Sequence, residues 1–117
     1  MIKIKNFTET DKEFEELARV DNLVNHDSIN HPDTDKKDWK VRDKSLIRDR
    51  LLLYNNNMLI GALYYSQGRD ENNRTCFYTL HLDPAYNYQG YRQLLYNKML
   101  KLVEKFHCNK LLTGIYE

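Results

Sequence analysis

The stretch from Thr75 to Tyr116 constrains the fold of this chain more than any other. Residues Thr75 to Leu82 alternate, with Cys76, Tyr78, Leu80 and Leu82 on one period-two face, and the run stops at Asp83-Pro84. Pro84 has no N–H to give a ladder, which suits a strand end and not the middle of a sheet. From Tyr91 onward Leu94, Leu95, Met99, Leu102, Val103 and Phe106 recur at helical spacing, with Lys98, Lys101, Glu104 and Lys105 between them. The late lysines favour the negative end of that helix. After a short turn at His107 to Lys110, Leu111, Leu112, Ile115 and Tyr116 read as another strand. Strand, helix and strand in that order predict a right-handed crossover joining parallel strands, with Gly90 in the turn at the carboxyl end of the first.

The junction itself, Leu80-His81-Leu82-Asp83-Pro84-Ala85-Tyr86-Asn87-Tyr88-Gln89-Gly90-Tyr91-Arg92-Gln93-Leu94-Leu95, passes from strand to helix through one short turn. The first N–H groups of a helix have no intrahelical partner, and the aligned peptide dipoles make that end attractive to anions, so such a junction can hold a phosphate. Gly90 lets the turn approach a ligand closely. The alternative is an ordinary turn that binds nothing. Of nine tyrosines, five (Tyr78, Tyr86, Tyr88, Tyr91 and Tyr96) lie around this junction, where they either wall a ligand or fill half-buried packing positions.

The remainder predicts a mostly antiparallel sheet flanked by helices. Ile2 and Ile4 alternate with Lys3 and Lys5 and Phe7 continues the period, so residues 1 to 6 or 7 read as a strand with one solvated face near a sheet edge. Thr10 or Asp11 caps a helix from about Asp11 to Leu23, with Glu13 in its first turn and Phe14, Leu17, Ala18 and Leu23 as its apolar stripe. Asn25 to Asp38 lacks apolar periodicity and reads as a loop, with at most a short helical turn, that overhangs a site. A second helix is expected after Asp38, through Trp39, Val41, Arg42 and Leu46. Arg50 to Tyr54 and Met58 to Ser66 form a hairpin across Asn55-Asn56-Asn57, since asparagine tolerates left-handed backbone angles.

With 117 residues the chain has room for one domain, 1–117, and one core. Eighteen basic against seventeen acidic residues give a formal charge of +1, which offers no electrostatic footprint for nucleic acid or an acidic membrane. Cys76 and Cys108 make neither a metal-type pair nor a disulfide framework, and a reducing cytoplasm is the simpler compartment. The opening Met1-Ile2-Lys3-Ile4-Lys5 has neither the apolar core of a signal peptide nor a membrane span. His26, Asp27, His31, Asp33 and Asp35 invite a metal reading, but no zinc-like spacing frames them, and a polar surface loop is the expectation.

The order of elements, and especially Leu82 to Leu95, resembles the GCN5-related N-acetyltransferase superfamily, known as GNAT. Leu82, Pro84, Tyr86 and Gly90 match its signature. The family's arginine or glutamine falls on Asn87, a frequent glycine on Tyr88, and its second small residue on Arg92. The resemblance implies a mixed α/β (α+β) fold and acetyl coenzyme A as cofactor, with Leu82 beside its pantetheine arm and the amides of Asn87, Tyr88, Gln89, Gly90, Tyr91 and Arg92 facing its pyrophosphate. Arg92 either adds charge to that phosphate or obstructs the close approach a small residue allows. GNAT domains usually continue with a further helix and strands, whereas this sequence stops at Glu117, so the expectation is a truncated domain or the first half of a larger arrangement. An exposed sheet edge would then be covered by a missing segment, another domain or a second copy in a homodimer.

Acetyl transfer needs a neutral acceptor amine, a thioester, donors for the developing oxygen charge and a route for the proton. His81 is the ionisable residue best placed for the general base, with Asp83 and Glu117 near strand ends; the bland reading of His81 is a structural or solvated histidine. Neither cysteine has a histidine nearby in sequence to activate it as a nucleophile. The expected activity is transfer to a small-molecule amine or a protein amino group, and the rival is a degenerate domain serving structure or interaction with weak or no coenzyme binding.

Overall fold

A computed structural model describes residues 1–25, 29–68 and 75–105, together with the backbone of 110–113. The elements run β1 (Ile2–Asn6), α1 (Asp11–Val24), α2 (Pro32–Lys40), β2 (Arg48–Asn55), β3 (Met58–Gln67), β4 (Thr75–Leu82), one turn of 3-10 helix (Pro84–Tyr86), α3 (Gln89–Glu104) and β5 (Lys110–Thr113). The sheet order is β1-β2-β3-β4-β5, antiparallel through β4, with β4 and β5 parallel. The edge position of β1, the hairpin and the helical crossover are as the sequence predicts, and Asn56 takes the left-handed conformation (φ 57°) at the hairpin turn.

Alternation divides the sheet into two faces. Leu52, Tyr54 and Ala62 pack with Phe7, Phe14, Leu17, Val20 and Trp39 under α1 and α2. On the other face Leu51, Leu53, Leu63, Tyr65 and Leu82 pack against Leu95, Met99 and Val103 of α3. Phe7 belongs to the first core, and Ile2 and Ile4 lean on the second, so Phe7 turns away from the face that the two isoleucines share. The register of β2 and β3 shifts at Leu53/Tyr54: Ile60 has no partner, and so Ile60 and Leu63 face the same core. The Ile60 carbonyl accepts the Asp83 N–H at 2.8 Å, which fastens the point where the chain leaves β4.

Thr10, not Asp11, caps α1. Its hydroxyl accepts the Glu13 N–H at 3.2 Å, and Glu13 Oε1 accepts the N–H groups of Thr10 and Thr8 and the Thr8 hydroxyl at 2.9–3.0 Å. The second helix differs from expectation: it starts at Pro32, inside the segment read as loop, and ends at Lys40, before Val41, Arg42 and Leu46 of the expected helix. Pro32 fits the first helical position, where no N–H is needed, and Asp33 and Asp35 sit at the positive end. Apolar periodicity could not reveal it, because Trp39 is its one buried residue. Cys76, 3% exposed, is disulfide-bonded, contrary to the reading of two unbonded cysteines; Cys108 lies outside the described residues.

Candidate active site

The carboxyl half of β4 presents its two sides to different surroundings. Leu82 is 3% exposed in the α3-side core and rests against Gly61, its register partner on β3. A Cβ on Gly61 would meet Leu82 Cδ2 at 2.5 Å and the His81 carbonyl oxygen at 3.1 Å, so the glycine is what admits this close strand contact. His81 points the opposite way, toward α1, and is 8% exposed. The ladder between β4 and β5 runs from Thr75/Lys110 to Tyr78/Thr113, so among the described residues Thr79 to Leu82 have no strand partner on that side.

Beyond β4, Asp83 Oδ1 accepts the Ala85 N–H at 3.0 Å and Arg19 reaches Asp83 Oδ2 at 3.4 Å. Arg19 also donates to the Leu59 carbonyl, linking α1 to the start of β3. The head of α3 has Tyr88 as its N-cap residue without a side-chain cap, and there is no acidic residue in its first turn. The first helical hydrogen bonds run from Tyr91 and Arg92 N–H to the Tyr88 carbonyl, at 3.0 and 3.4 Å. Donors at the head of a sixteen-residue helix with a cation in the first turn suit an anion. Arg92 folds back along the turn and donates from Nε and Nη2 to Asn87 Oδ1, at 3.2 and 2.9 Å. The Tyr88 ring lies over Gly90, 2.6 Å from where a Cβ would be, and meets the Tyr91 ring edge-on at 5.1 Å. The close approach that Gly90 permits is therefore taken by an exposed tyrosine ring, a movable group.

On the α1 side a cavity of about 650 Å³ extends from the amino end of β2 across β3 and β4 to α2. His81 and Tyr64 form part of its sheet wall, and Asn25, Asn30, Thr34 and Asp38 come from the segment predicted to overhang a site. Asp21 of α1 joins the two sheet residues. Its Oδ1 lies 2.7 Å from His81 Nδ1, the Tyr64 hydroxyl lies 2.8 Å from both of its oxygens, and Asn30 Nδ2 donates to Oδ2 at 2.7 Å. Burial, and next the neighbouring Asp21 carboxylate, push the Tyr64 phenol well above its usual range, so it stays a donor. Beside this group Arg50 of β2, 4% exposed, makes a two-pronged pair with Asp35 of α2 at 2.7 and 2.8 Å. The Arg50 guanidinium lies over the rings of Trp39, Phe7 and Tyr64 at 4.8, 5.0 and 5.0 Å.

The sequence reading named His81 but missed Asp21, Tyr64, Asn30 and the Arg50–Asp35 pair. A signal for Asp21 exists: the stripe Phe14, Leu17, Ala18 continues at helical spacing onto residue 21, which puts a carboxylate on the buried face of α1. Arg50 and Tyr64 likewise hold inward positions of alternating strands. Of the metal candidates, His26 and Asp27 lie outside the described residues; Asp35 is committed to Arg50. Among the described residues no three or more His, Cys, Asp or Glu side chains gather in a metal-binding group. None of their helices is long and apolar enough to cross a membrane.

Solved structures share this architecture. An N-acetyltransferase from Staphylococcus aureus Mu50 superposes with a TM-score of 0.77 at 12% identity, over 98% of this chain and 73% of its own. A GNAT family acetyltransferase from Staphylococcus aureus subsp. aureus USA300_TCH1516 gives 0.71 at 15%, over 99% and 87%. This chain has the GNAT fold. The aminoglycoside antibiotic 6'-N-acetyltransferase AAC(6')-Ih from Acinetobacter baumannii has the same fold, with a TM-score of 0.74 at 16% identity over 99% and 80%. No family model matches the sequence, and no curated protein matches it. The GNAT likeness is thus carried by backbone geometry: the antiparallel strands, the parallel β4–β5 pair and the helix between them.

Proposed function

We propose that the chain is an acetyl-coenzyme-A-dependent N-acetyltransferase whose acceptor is a small-molecule amine or a protein amino group. The observation that carries this reading is His81 on the wall of the 650 Å³ cavity, on the same strand that runs into the uncapped head of α3. The amides of Gln89 and Gly90, ahead of the first helical hydrogen bonds at Tyr91 and Arg92, would hold the pyrophosphate, with the Arg92 guanidinium as its counter-charge once the Tyr88 ring leaves Gly90. When bound, the coenzyme supplies an acetyl thioester. The acceptor nitrogen enters from the cavity, and His81 takes the proton it sheds as it becomes acylated.

The cavity wall favours an acceptor that arrives as an ammonium ion, since Asp21, Asp35, Asp38, Asp43 and Asp49 line it against Arg42, Arg48 and Arg50. Such an amine must lose a proton before it can attack, which is the work assigned to a base on that wall. Ile29 and Phe77, both exposed, supply an apolar rim. The second reading, a GNAT-fold domain without coenzyme binding, draws on the Tyr88 ring over Gly90 and the Arg92–Asn87 contact across the turn. Calorimetric titration with acetyl coenzyme A separates the two. One-to-one binding, with turnover of a diamine lost in His81→Ala while coenzyme binding persists, is the expected result. No heat of binding at millimolar coenzyme overturns the enzyme reading.

A further inference from the structure

Three groups converge on one largely buried carboxylate at the cavity wall: the Tyr64 hydroxyl and the Asn30 amide, which donate to it, and His81 Nδ1, 2.7 Å from Oδ1. An ionised carboxylate has lone pairs enough for all of them and no proton to give. The ring nitrogen facing it must therefore be the one that carries hydrogen, which leaves the lone pair of a neutral imidazole on Nε2. We infer that Asp21 is a positioning residue that holds His81 in the Nδ1–H form with Nε2 as the basic atom, and that Tyr64 and Asn30 hold Asp21. The inference rests on the reading of His81 as the base, yet the proton's location can be measured without any turnover.

The surroundings leave Asp21 little freedom to serve another partner. Tyr64 meets the His81 ring edge-on, with centroids 5.6 Å apart, so the imidazole is fixed in plane as well as at one nitrogen. Asn30 is itself tied to α1 beyond Asp21: its N–H donates to Asn22 Oδ1 at 2.7 Å, and its carbonyl accepts from Asn22 Nδ2 at 3.1 Å. Among the described residues Arg50 of β2 and Asp35 of α2 also face the group, and they neutralise each other. An amide at position 21 cannot meet the same demand. It offers one acceptor oxygen and one N–H₂ in place of two acceptors; Asn30, whose backbone is tied to Asn22, keeps the oxygen with its N–H₂ in the orientation the structure shows, and the imidazole meets the new N–H₂ by moving its proton to Nε2.

The test is long-range proton–nitrogen correlation on ¹⁵N-labelled full chain at neutral pH, with kinetics beside it. Wild type should show His81 protonated at Nδ1, and Asp21→Asn should shift that proton toward Nε2. The same substitution should lower kcat by about 10²-fold, within the usual range for general base catalysis, with KM for acetyl coenzyme A unchanged. A wild-type ring protonated at Nε2, or a folded Asp21→Asn ring still protonated at Nδ1, overturns the inference. Tyr64→Phe serves as the second variant should Asp21→Asn not fold: it leaves the carboxylate on His81 and should keep the Nδ1 proton, and loss of that proton there also overturns it. If the proton behaves as expected and no amine is acetylated, the reading of His81 as the base fails while the assignment of Asp21 stands.

Discussion

Arg50→Ala is expected to destabilise the fold by about 4 kcal/mol. Arg50 is 4% exposed and Asp35 13%, so truncation leaves a carboxylate largely out of water with its two-pronged partner gone. Breaking a buried pair from one side typically costs about 3–5 kcal/mol. The guanidinium also lies within about 5 Å of three ring centres, contacts of about 0.5–2 kcal/mol when desolvated, part of which overlaps with the pair. Burial works against the Arg50 charge, and the hydrogen bonds and charge of Asp35 outweigh it, holding the guanidinium above its ordinary range. Against a typical domain stability of about 5–15 kcal/mol, the loss is about a quarter or more.

The assay is equilibrium urea unfolding of wild type, Arg50→Ala, Asp35→Ala and the double variant. The two single losses should not add, because each removes the same pair, and a coupling of about 2 kcal/mol or more is expected. Arg50→Met with Asp35→Leu should recover most of the stability, since apolar groups of similar volume replace a buried pair with little loss. A loss below about 1 kcal/mol for Arg50→Ala, in the range of exposed ion pairs, would refute the reasoning. The site makes the outcome matter: Trp39 is the one buried residue of α2, so the Arg50–Asp35 pair is its second anchor beneath the cavity wall.

Gly61→Ala should cost about 1–3 kcal/mol through overpacking, read by the same unfolding assay. Part of that loss should vanish in the Leu82→Ala background, because the shorter of the two clashes is with the tip of Leu82; strict additivity would refute the account. Burial, with Asp49 as the next cause, pushes the Tyr65 phenol up to about 12, and burial with Glu16 and Glu13 does the same for Tyr54. Their unfolded value is near 10, so the neutral phenol's contribution is complete below pH 10 and is lost as pH rises through 12. Tyr65→Phe should flatten the alkaline loss of stability over that window, and an unchanged slope would count against it.

What the sequence made legible was whatever repeats. Alternation in Thr75 to Leu82 and helical spacing in Leu95 to Val103 are each imposed by an apolar face meeting one core, so both elements and their crossover could be read, although Leu94, expected on that face, is 46% exposed. The helix Pro32–Lys40 touches its core through Trp39 alone, and a single anchor has no period. The same limit governed the site. His81 stood out because it interrupts a run of leucines, whereas Asp21, Asn30 and Tyr64 come together only when α1, the following segment and β3 have packed. The head of α3 was visible as a pattern of Pro84, Gly90 and Arg92, yet the Tyr88 ring over Gly90 follows from a rotamer that spacing does not encode.

The period of two along β4 has a functional consequence under the proposed activity. Leu82 must face the α3 core and His81 the α1 cavity, so the helix head that takes the anion and the wall that takes the amine lie on opposite faces of one sheet. A ligand that reaches both has to cross the sheet, and paired strands give no passage. Under the proposed activity such a ligand crosses at the carboxyl end of β4, the stretch that carries His81 on one face and Leu82 on the other before it runs into the head of α3. The missing side chain at Gly61 then gains a role beyond packing, because it sets how closely β4 hugs β3. A bulkier residue at position 61 would displace that end of β4 as well as the core, so Gly61→Ala should weaken coenzyme binding through a residue that the coenzyme need never touch.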